Sequence, residues 1–321
     1  MKRYAIIIAL MLALLTTAAC AAEGGVIESS EDIDKRISIV STIFAPYDFA
    51  REIAGDRADI AMLLPPGSES HSFEPTPRDI TTIQNCDVFI YVGGESDAWV
   101  DDVLDSMDTS NIRIITLMDC VTAVEEEIVE GMEEEGEEEA EESSEPEYDE
   151  HVWTSPRNAK LIVQKISDAL CDADATNAAE YRQNTADYLA ELDELDAGFQ
   201  AVVDGAVRRT IVFGDRFPFR YFADAYNLDY FAAFPGCSTE TEPSAATVKF
   251  LIDKINDEDI PVVFHIELSN ERMANVISES TGAKALLLHA VHNITKQDFE
   301  NGLGYIDLMT QNVERLKEAL H

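Results

Sequence analysis

Positive charge is what this chain has least of. Its 321 residues include 23 Lys and Arg against 63 Asp and Glu, a formal net charge of -40. That balance excludes a basic patch broad enough to hold nucleic acid or an anionic membrane surface, and it makes cations the natural small partners. Closely spaced cysteine pairs are absent too. The five cysteines, Cys20, Cys86, Cys120, Cys171 and Cys237, form no CxxC, so a thiolate zinc knuckle is not indicated. Neither HExxH nor Gly-x-Ser-x-Gly occurs, which removes the signatures of common zinc proteases and serine hydrolases. The one long apolar run, residues 6–15, is too short to span a bilayer permanently. What remains is a globular composition, 46% hydrophobic and 27% charged, in a chain long enough for about two domains.

The first residues read as an export signal, 1–19. Lys2 and Arg3 open it, the apolar run follows, and Thr16-Thr17-Ala18-Ala19 supplies a small-residue cleavage region before Cys20. The segment 15–20 resembles a bacterial lipobox, which implies that Cys20 becomes the lipidated first residue of the mature chain. Residues 20–35, polar and glycine-containing, then suit a tether between lipid and folded body. The expected location is therefore outside the cytoplasmic membrane, anchored to it. The remaining cysteines read as small buried hydrophobes, since Cys86 and Cys120 flank apolar runs.

Beyond the tether, short β-branched runs alternate with helical patterns. Strands are predicted at 37–43, 58–64, 88–92 and 112–117, with helices between them at 45–55, 77–85 and 99–107. Such alternation makes a mostly parallel sheet with helices on both faces, and ligands in such sheets collect beyond the C-terminal ends of the strands. Residues 125–150 break the pattern. More than half are acidic and none is Lys or Arg, so a disordered loop with no core of its own is expected, at most a weak collector of cations. Helices at 158–172 and 176–204 follow. The second carries Tyr181, Tyr188, Leu192, Leu195 and Phe199 on one face, a stiff rod. The strand–helix alternation then resumes, with strands at 209–214, 230–234, 261–265 and 285–288. The expected organisation is an N-terminal α/β lobe over 36–156, a helical connection over 157–206 that includes the long linking helix, and a C-terminal α/β lobe over 207–321.

Three histidines stand at the rims of these sheets. His71 lies between a Pro-Pro-Gly turn and Pro75-Thr76-Pro77, just after the second strand. His151 immediately precedes the helix start Ser155-Pro156, and His289 follows the last strand. Neutral imidazole is a good ligand for zinc and other first-row metals. His265 and His292 read as structural histidines, with His292 also placed to substitute for His289 or to support it. Cys237 and Glu240 sit on a loop with no compelled orientation.

The segment Gly67-Ser68-Glu69-Ser70-His71-Ser72-Phe73-Glu74-Pro75-Thr76-Pro77, the segment Glu150-His151-Val152-Trp153-Thr154-Ser155-Pro156-Arg157-Asn158-Ala159, Glu242-Pro243-Ser244 and Tyr305-Ile306-Asp307-Leu308-Met309-Thr310-Gln311-Asn312 are similar to the signatures of one family. It is the zinc/manganese class of metal-binding lipoproteins of bacterial ABC importers, the cluster A-I solute-binding proteins. The resemblance covers nearly the whole chain after Cys20. It implies two α/β lobes joined by one long helix, with the metal in the cleft between them. It also implies a third ligand near the start of the C-terminal lobe, where Arg216 stands, a side chain that cannot ligate a cation. Asp215 is the acidic candidate beside it. The fourth ligand of the family corresponds to His289.

The expected metal set is thus His71, His151, His289 and either Asp215 or a water, with no catalytic residues. The expected function is capture of Zn2+ and its delivery to a membrane permease of an ABC importer. Three imidazoles favour zinc, and Mn2+ is the alternative cargo because harder ions prefer carboxylate and water. Readings of a different class are a zinc metallohydrolase or a surface adhesin stabilised by metal.

Overall fold

The computed structural model describes residues 36–69, 73–132, 147–238 and 242–321. The signal, Cys20 and the tether, together with His71, Glu240 and the middle of the acidic segment, lie outside the described residues.

Two four-stranded parallel sheets carry the architecture. In the first, β1 (Ile37–Ser41) lies between β2 (Ala58–Met62) and β3 (Val88–Tyr91), and β4 (Arg113–Thr116) forms the far edge. The second has the order β6-β5-β7-β8, with β5 at Thr210–Phe217, β6 at Asp229–Pro235, β7 at Val262–His265 and β8 at Lys284–Leu287. The central strands are buried on both faces, which is why they read as continuous apolar runs: Val88, Phe89 and Ile90 are all inaccessible to solvent.

Helices connect the strands. They are α1 (Phe44–Ala54), α2 (Pro77–Gln84) and α3 (Ala98–Asp105) in the first lobe. The connection is α4 (Pro156–Ala173) and α5 (Ala178–Asp204). The second lobe has α6 (Arg220–Tyr226), α7 (Ala245–Asp257), α8 (Arg272–Thr281), α9 (Lys296–Glu300) and α10 (Tyr305–Leu320). At α2 the start is a capping box. Thr76 accepts from the Asp79 amide, Asp79 accepts from the Thr76 amide at 2.8 Å, and Pro77 occupies the first helical position. The 27 residues of α5 rise about 40 Å. Its buried face packs against α1 and α4 on one side and α10 on the other, so one rod touches both lobes, as its apolar stripe requires. Among the described residues no helix is long and apolar enough to cross a membrane.

Two boundaries depart from expectation. Strand β5 continues to Phe217 rather than stopping at Gly214, and its register with β6 slips between Phe213 and Arg216. The one extra residue of that bulge re-aims the strand, and the Arg216 side chain is buried. The acidic segment, expected to be disordered throughout 125–150, is paired at both ends. Glu125 bridges Tyr148, the Glu126 amide donates to Glu147 O at 2.9 Å, and the Asp149 amide donates to Val124 O at 3.0 Å. Glu126 then accepts from the Gly236 amide at 2.8 Å, which ties this base to the second lobe. Charge density alone misses such a pairing, because backbone hydrogen bonds do not depend on side-chain polarity.

Candidate metal centre

The loops that follow β2 and β8 meet each other. The Asn293 side-chain amide donates to Pro65 O and to Ser68 O, both at 2.8 Å, and the Gly67 amide donates to Ile294 O at 2.8 Å. The Phe44 amide, at the start of α1, donates to His292 O at 3.0 Å. These bonds bring the C-terminal ends of both sheets together, which is where parallel sheets hold ligands.

His151 stands where the acidic hairpin ends and α4 begins. Its amide donates to Asp149 Oδ1 at 2.8 Å, and its Nδ1 lies 3.1 Å from the same oxygen. A carboxylate only accepts, so Nδ1 carries the proton and Nε2 is left with a lone pair. Asp149 is itself held, because Tyr221 donates its hydroxyl to Asp149 O at 2.7 Å. Burial works to lower the His151 pKa, but the Asp149 charge outweighs it and the net shift is upward. Gly236 packs directly on this ring. A Cβ there would stand 2.9 Å from His151 Cε1 and 3.0 Å from Nδ1, so the close approach requires glycine.

Facing His151 is His292, the ring centroids 4.6 Å apart and nearly perpendicular, with Trp153 at 5.1 Å from His292. His292 lines two adjoining cavities. One, of about 30 Å³, is bounded by Thr42, Leu64, Phe73, Asp97, Glu150, His151 and Trp153. The other, of about 10 Å³, is bounded by Ser68, Glu69, Arg216, Glu267 and Asn293. Spaces of this size accept an ion or one or two waters, not an organic substrate. A larger groove beside β6, about 460 Å³, has no imidazole in its lining.

Carboxylates surround the imidazole pair. Glu150 accepts from the Ser96 amide at 2.9 Å, and its carboxylate fills the space a side chain at Gly94 would need. Asp97 accepts from the Val92 amide at 2.7 Å and from the Gly93 amide at 3.3 Å; burial pushes its pKa up to about 6 despite those bonds. Glu267 accepts from the Ala290 amide at 2.7 Å and the His292 amide at 2.9 Å. Burial opposes its charge, yet the adjacent imidazoles and amide donors hold its carboxyl below the usual range. Burial is also the chief cause of the lowered pKa values of His289 and His292, which keeps both neutral. A dication entering this region meets neutral nitrogen donors in a shell of negative charge.

The other expected residues sit as follows. His289 is buried behind the cavities and lines neither. Its Nδ1 accepts from the Val291 amide at 3.0 Å, and its backbone is bracketed by the Asn312 side chain at 2.9 and 2.8 Å. Asp215 uses one oxygen for the Arg216 amide at 2.9 Å and the other for the Ile266 amide at 3.2 Å, which braces β5 against the end of β7. His265, expected to be structural, has its Nδ1 3.2 Å from Ile266 O. Cys237 is partly buried and unbonded to another cysteine, and neighbouring carboxylates add to burial in raising its thiol pKa. Among the described residues no three His, Cys, Asp or Glu side chains converge closely enough to hold a metal ion by themselves. His71 lies outside those residues, but its neighbours Glu69 and Phe73 each line a cavity that His292 also lines.

Sequence reasoning missed Asp97, Asp149, Glu150 and Glu267 as parts of this centre. Only Asp149 and Glu150, the two residues before His151, carried a local signal. The others are brought in by backbone amides that no pattern of side chains announces.

Residues 39–319 match the family model described as "ZnuA: Zinc-uptake complex component A periplasmic". The high-affinity zinc uptake system protein ZnuA of Bacillus subtilis (strain 168) is 31% identical over 294 residues, 91% of this chain and 90% of that protein. The zinc-binding lipoprotein AdcA of Streptococcus pneumoniae is 30% identical over 99% of this chain, which spans only 61% of AdcA. A solved structure, the Zn(II)-bound ZnuA-like domain of Streptococcus pneumoniae AdcA, superposes with a TM-score of 0.73 at 27% identity, over 89% of this chain and 99% of that one.

Proposed function

This chain belongs to the ZnuA family of periplasmic zinc-uptake components, and we propose from that membership that it is an extracytoplasmic receptor for a divalent transition metal, zinc before manganese, which it delivers to the permease of an ABC importer. The observation that carries the reading is the imidazole pair His151 and His292, 4.6 Å apart beside an ion-sized cavity. His151 presents Nε2, because Nδ1 is occupied by Asp149. We take His71 as the third nitrogen donor, supplied by the loop between Glu69 and Phe73. In this reading His292 takes the ligand position expected of His289, whose Nδ1 is occupied by a backbone amide, and Asp215 acts as a brace. Three neutral imidazoles suit zinc, and the buried carboxylates around them offset the charge of the ion without displacing nitrogen. Anchoring through lipidated Cys20 places the receptor at the membrane face where a permease operates.

Two experiments test this. Competition titration of the purified protein is expected to give tight zinc binding, weaker manganese binding, and a loss of at least tenfold in His71→Ala, His151→Ala and His292→Ala. A zinc-bound crystal structure with anomalous scattering is expected to show these three side chains on the metal, and a metal bound elsewhere overturns the assignment. Turnover assays with metal present separate a receptor from a metallohydrolase, and zinc-dependent growth of a deletion strain separates transport from adhesion.

A further inference from the structure

The turn from His289 to His292 holds a conformation its own residues disfavour. Val291, β-branched and fully buried, has φ 60°. Leu268, which directly follows Glu267, also has φ 60°. Left-handed backbone is readily adopted by glycine and tolerated by asparagine, whereas a β-branched residue there is strained unless its surroundings enforce it.

Those surroundings are specific. Three successive amides of the turn each meet an acceptor. Ala290 N donates to Glu267 Oε2 at 2.7 Å, Val291 N to His289 Nδ1 at 3.0 Å, and His292 N to Glu267 Oε1 at 2.9 Å. The carbonyls are held from outside: Ala290 O accepts from Trp153 Nε1 at 2.8 Å, and His292 O accepts from the Phe44 amide at 3.0 Å. Asn312 grips both backbone atoms of His289. One buried carboxylate therefore closes the turn at two points, and the elements that close its other side are those that carry His151 and start α1.

From this arrangement we propose that Glu267 and the strained Val291 turn form a preset clamp that aims the His292 imidazole into the cavity, making Glu267 and Val291 positioning residues for metal capture. The proposal rests on the receptor reading above. A turn needed only to reverse the chain would be met by glycine or asparagine at position 291. Here strain is concentrated one residue before an imidazole that lines both cavities, and a buried carboxylate is committed to backbone amides instead of to a cation. Fixing the ring before the ion arrives removes the cost of ordering it on binding.

The clamp is tested with Glu267→Gln and Val291→Gly in the full chain, with Ile277→Ala as a control of comparable instability in the core under α8. Glutamine keeps the shape of Glu267 but turns an amide donor toward one of the two backbone donors. Glycine at 291 accepts the same φ without strain and frees the turn. We expect each clamp variant to bind zinc about 10- to 100-fold more weakly than the parent. We also expect the visible spectrum of bound Co2+ to change in band position and intensity, because the ligand geometry changes. Ile277→Ala should melt at lower temperature with parental zinc affinity and Co2+ spectrum. If Glu267→Gln does not fold, Val291→Gly decides the matter. The proposal is overturned by a folded clamp variant with parental affinity and spectrum, or by an equal loss in Ile277→Ala. Absence of zinc binding in the parent would instead overturn the receptor reading, and the clamp with it.

Discussion

Arg216 Nη2 lies 3.0 Å from Glu69 Oε1, a pair that joins β5 of one lobe to the loop leading toward His71 in the other. The guanidinium is almost wholly buried, while the carboxylate remains 40% exposed. Arg216 also donates to Ser238 O at 3.3 Å. Among the described residues, Glu69→Gln therefore leaves a buried positive charge beside His292 with no ion-paired carboxylate. Because Glu69 is partly solvated, the expected loss is about 1 kcal/mol, less than for a fully buried pair. That corresponds to a melting temperature lower by roughly 2–4 °C. Zinc affinity should fall as well, since the uncompensated guanidinium repels the incoming dication. Thermal unfolding and zinc competition on the same preparation check both, and an unchanged affinity would show that the pair serves the fold alone.

Zinc binding should depend on pH through His151. Metal requires the neutral imidazole, and Asp149 raises the His151 pKa, so loss of affinity begins above the ordinary histidine value of about 6.5 and steepens below it. His292, lowered by burial, contributes only at more acid pH. Calorimetry in buffers of different ionisation enthalpy should register proton release on binding near pH 7. Asp149→Asn removes the charge that raises His151 and moves the pH-dependent loss downward. It also loosens the ring, which weakens binding at alkaline pH by about tenfold. A parent whose affinity is constant from pH 8 to pH 6 would count against an imidazole site.

How much of this was legible in the chain depends on what each feature rests on. The sheets and the linking rod follow from periodicity, which is local, and they emerged with boundaries shifted by a few residues. His151 was marked by the helix start beside it, while His71, expected on the proline-framed turn, lies outside the described residues. The proposed replacement of His289 by His292 was not legible. Both follow β8, and only the Val291 turn, closed by Glu267 from the turn after β7, separates the ring that lines the cavities from the ring that accepts an amide. Asp215 was the acidic residue nearest in sequence to the expected position, but the bulge in β5 directs its oxygens to backbone amides and buries Arg216 instead. Long-range amide donors decide these cases.

Gly236 should be intolerant of any side chain. Gly236→Ala places a Cβ within 3.0 Å of His151 Nδ1 and of Phe217 O, closer than carbon normally approaches either. Phe217 O belongs to β5 and yields little, so the imidazole must move and its bond to Asp149 lengthens. Overpacking of this kind costs about 1–3 kcal/mol. The expected signature is a lower melting temperature together with zinc affinity reduced by tenfold or more. Retention of parental affinity in Gly236→Ala would show that the His151 ring has more freedom than its neighbours imply.

Asp97 should make the metal-free protein more stable in mild acid than at neutral pH. Its carboxyl titrates near 3.8 when unfolded and is pushed up to about 6 in the fold, chiefly by burial. Between those values the native state binds more protons than the unfolded chain, so stability falls as pH rises from about 4 to about 6 and stays lower above. Asp48, also pushed up to about 6 by burial, acts in the same direction. His289 and His292 act oppositely: their lowered values mean that stability is lost as pH falls below about 6.5. The two sets place the optimum on the acid side of neutrality. Asp97→Asn isolates one of them, because the asparagine carbonyl can still accept from Val92 and Gly93 without carrying charge. Denaturant unfolding with a chelator present should find Asp97→Asn more stable than the parent at pH 7.5, by on the order of 1–3 kcal/mol. The difference should shrink as the pH falls from 6 toward 4 and vanish only below about 3.8, where the parent carboxyl is protonated in both states. A parent more stable than Asp97→Asn at pH 7.5 would mean that the amide bonds to this carboxylate outweigh its burial.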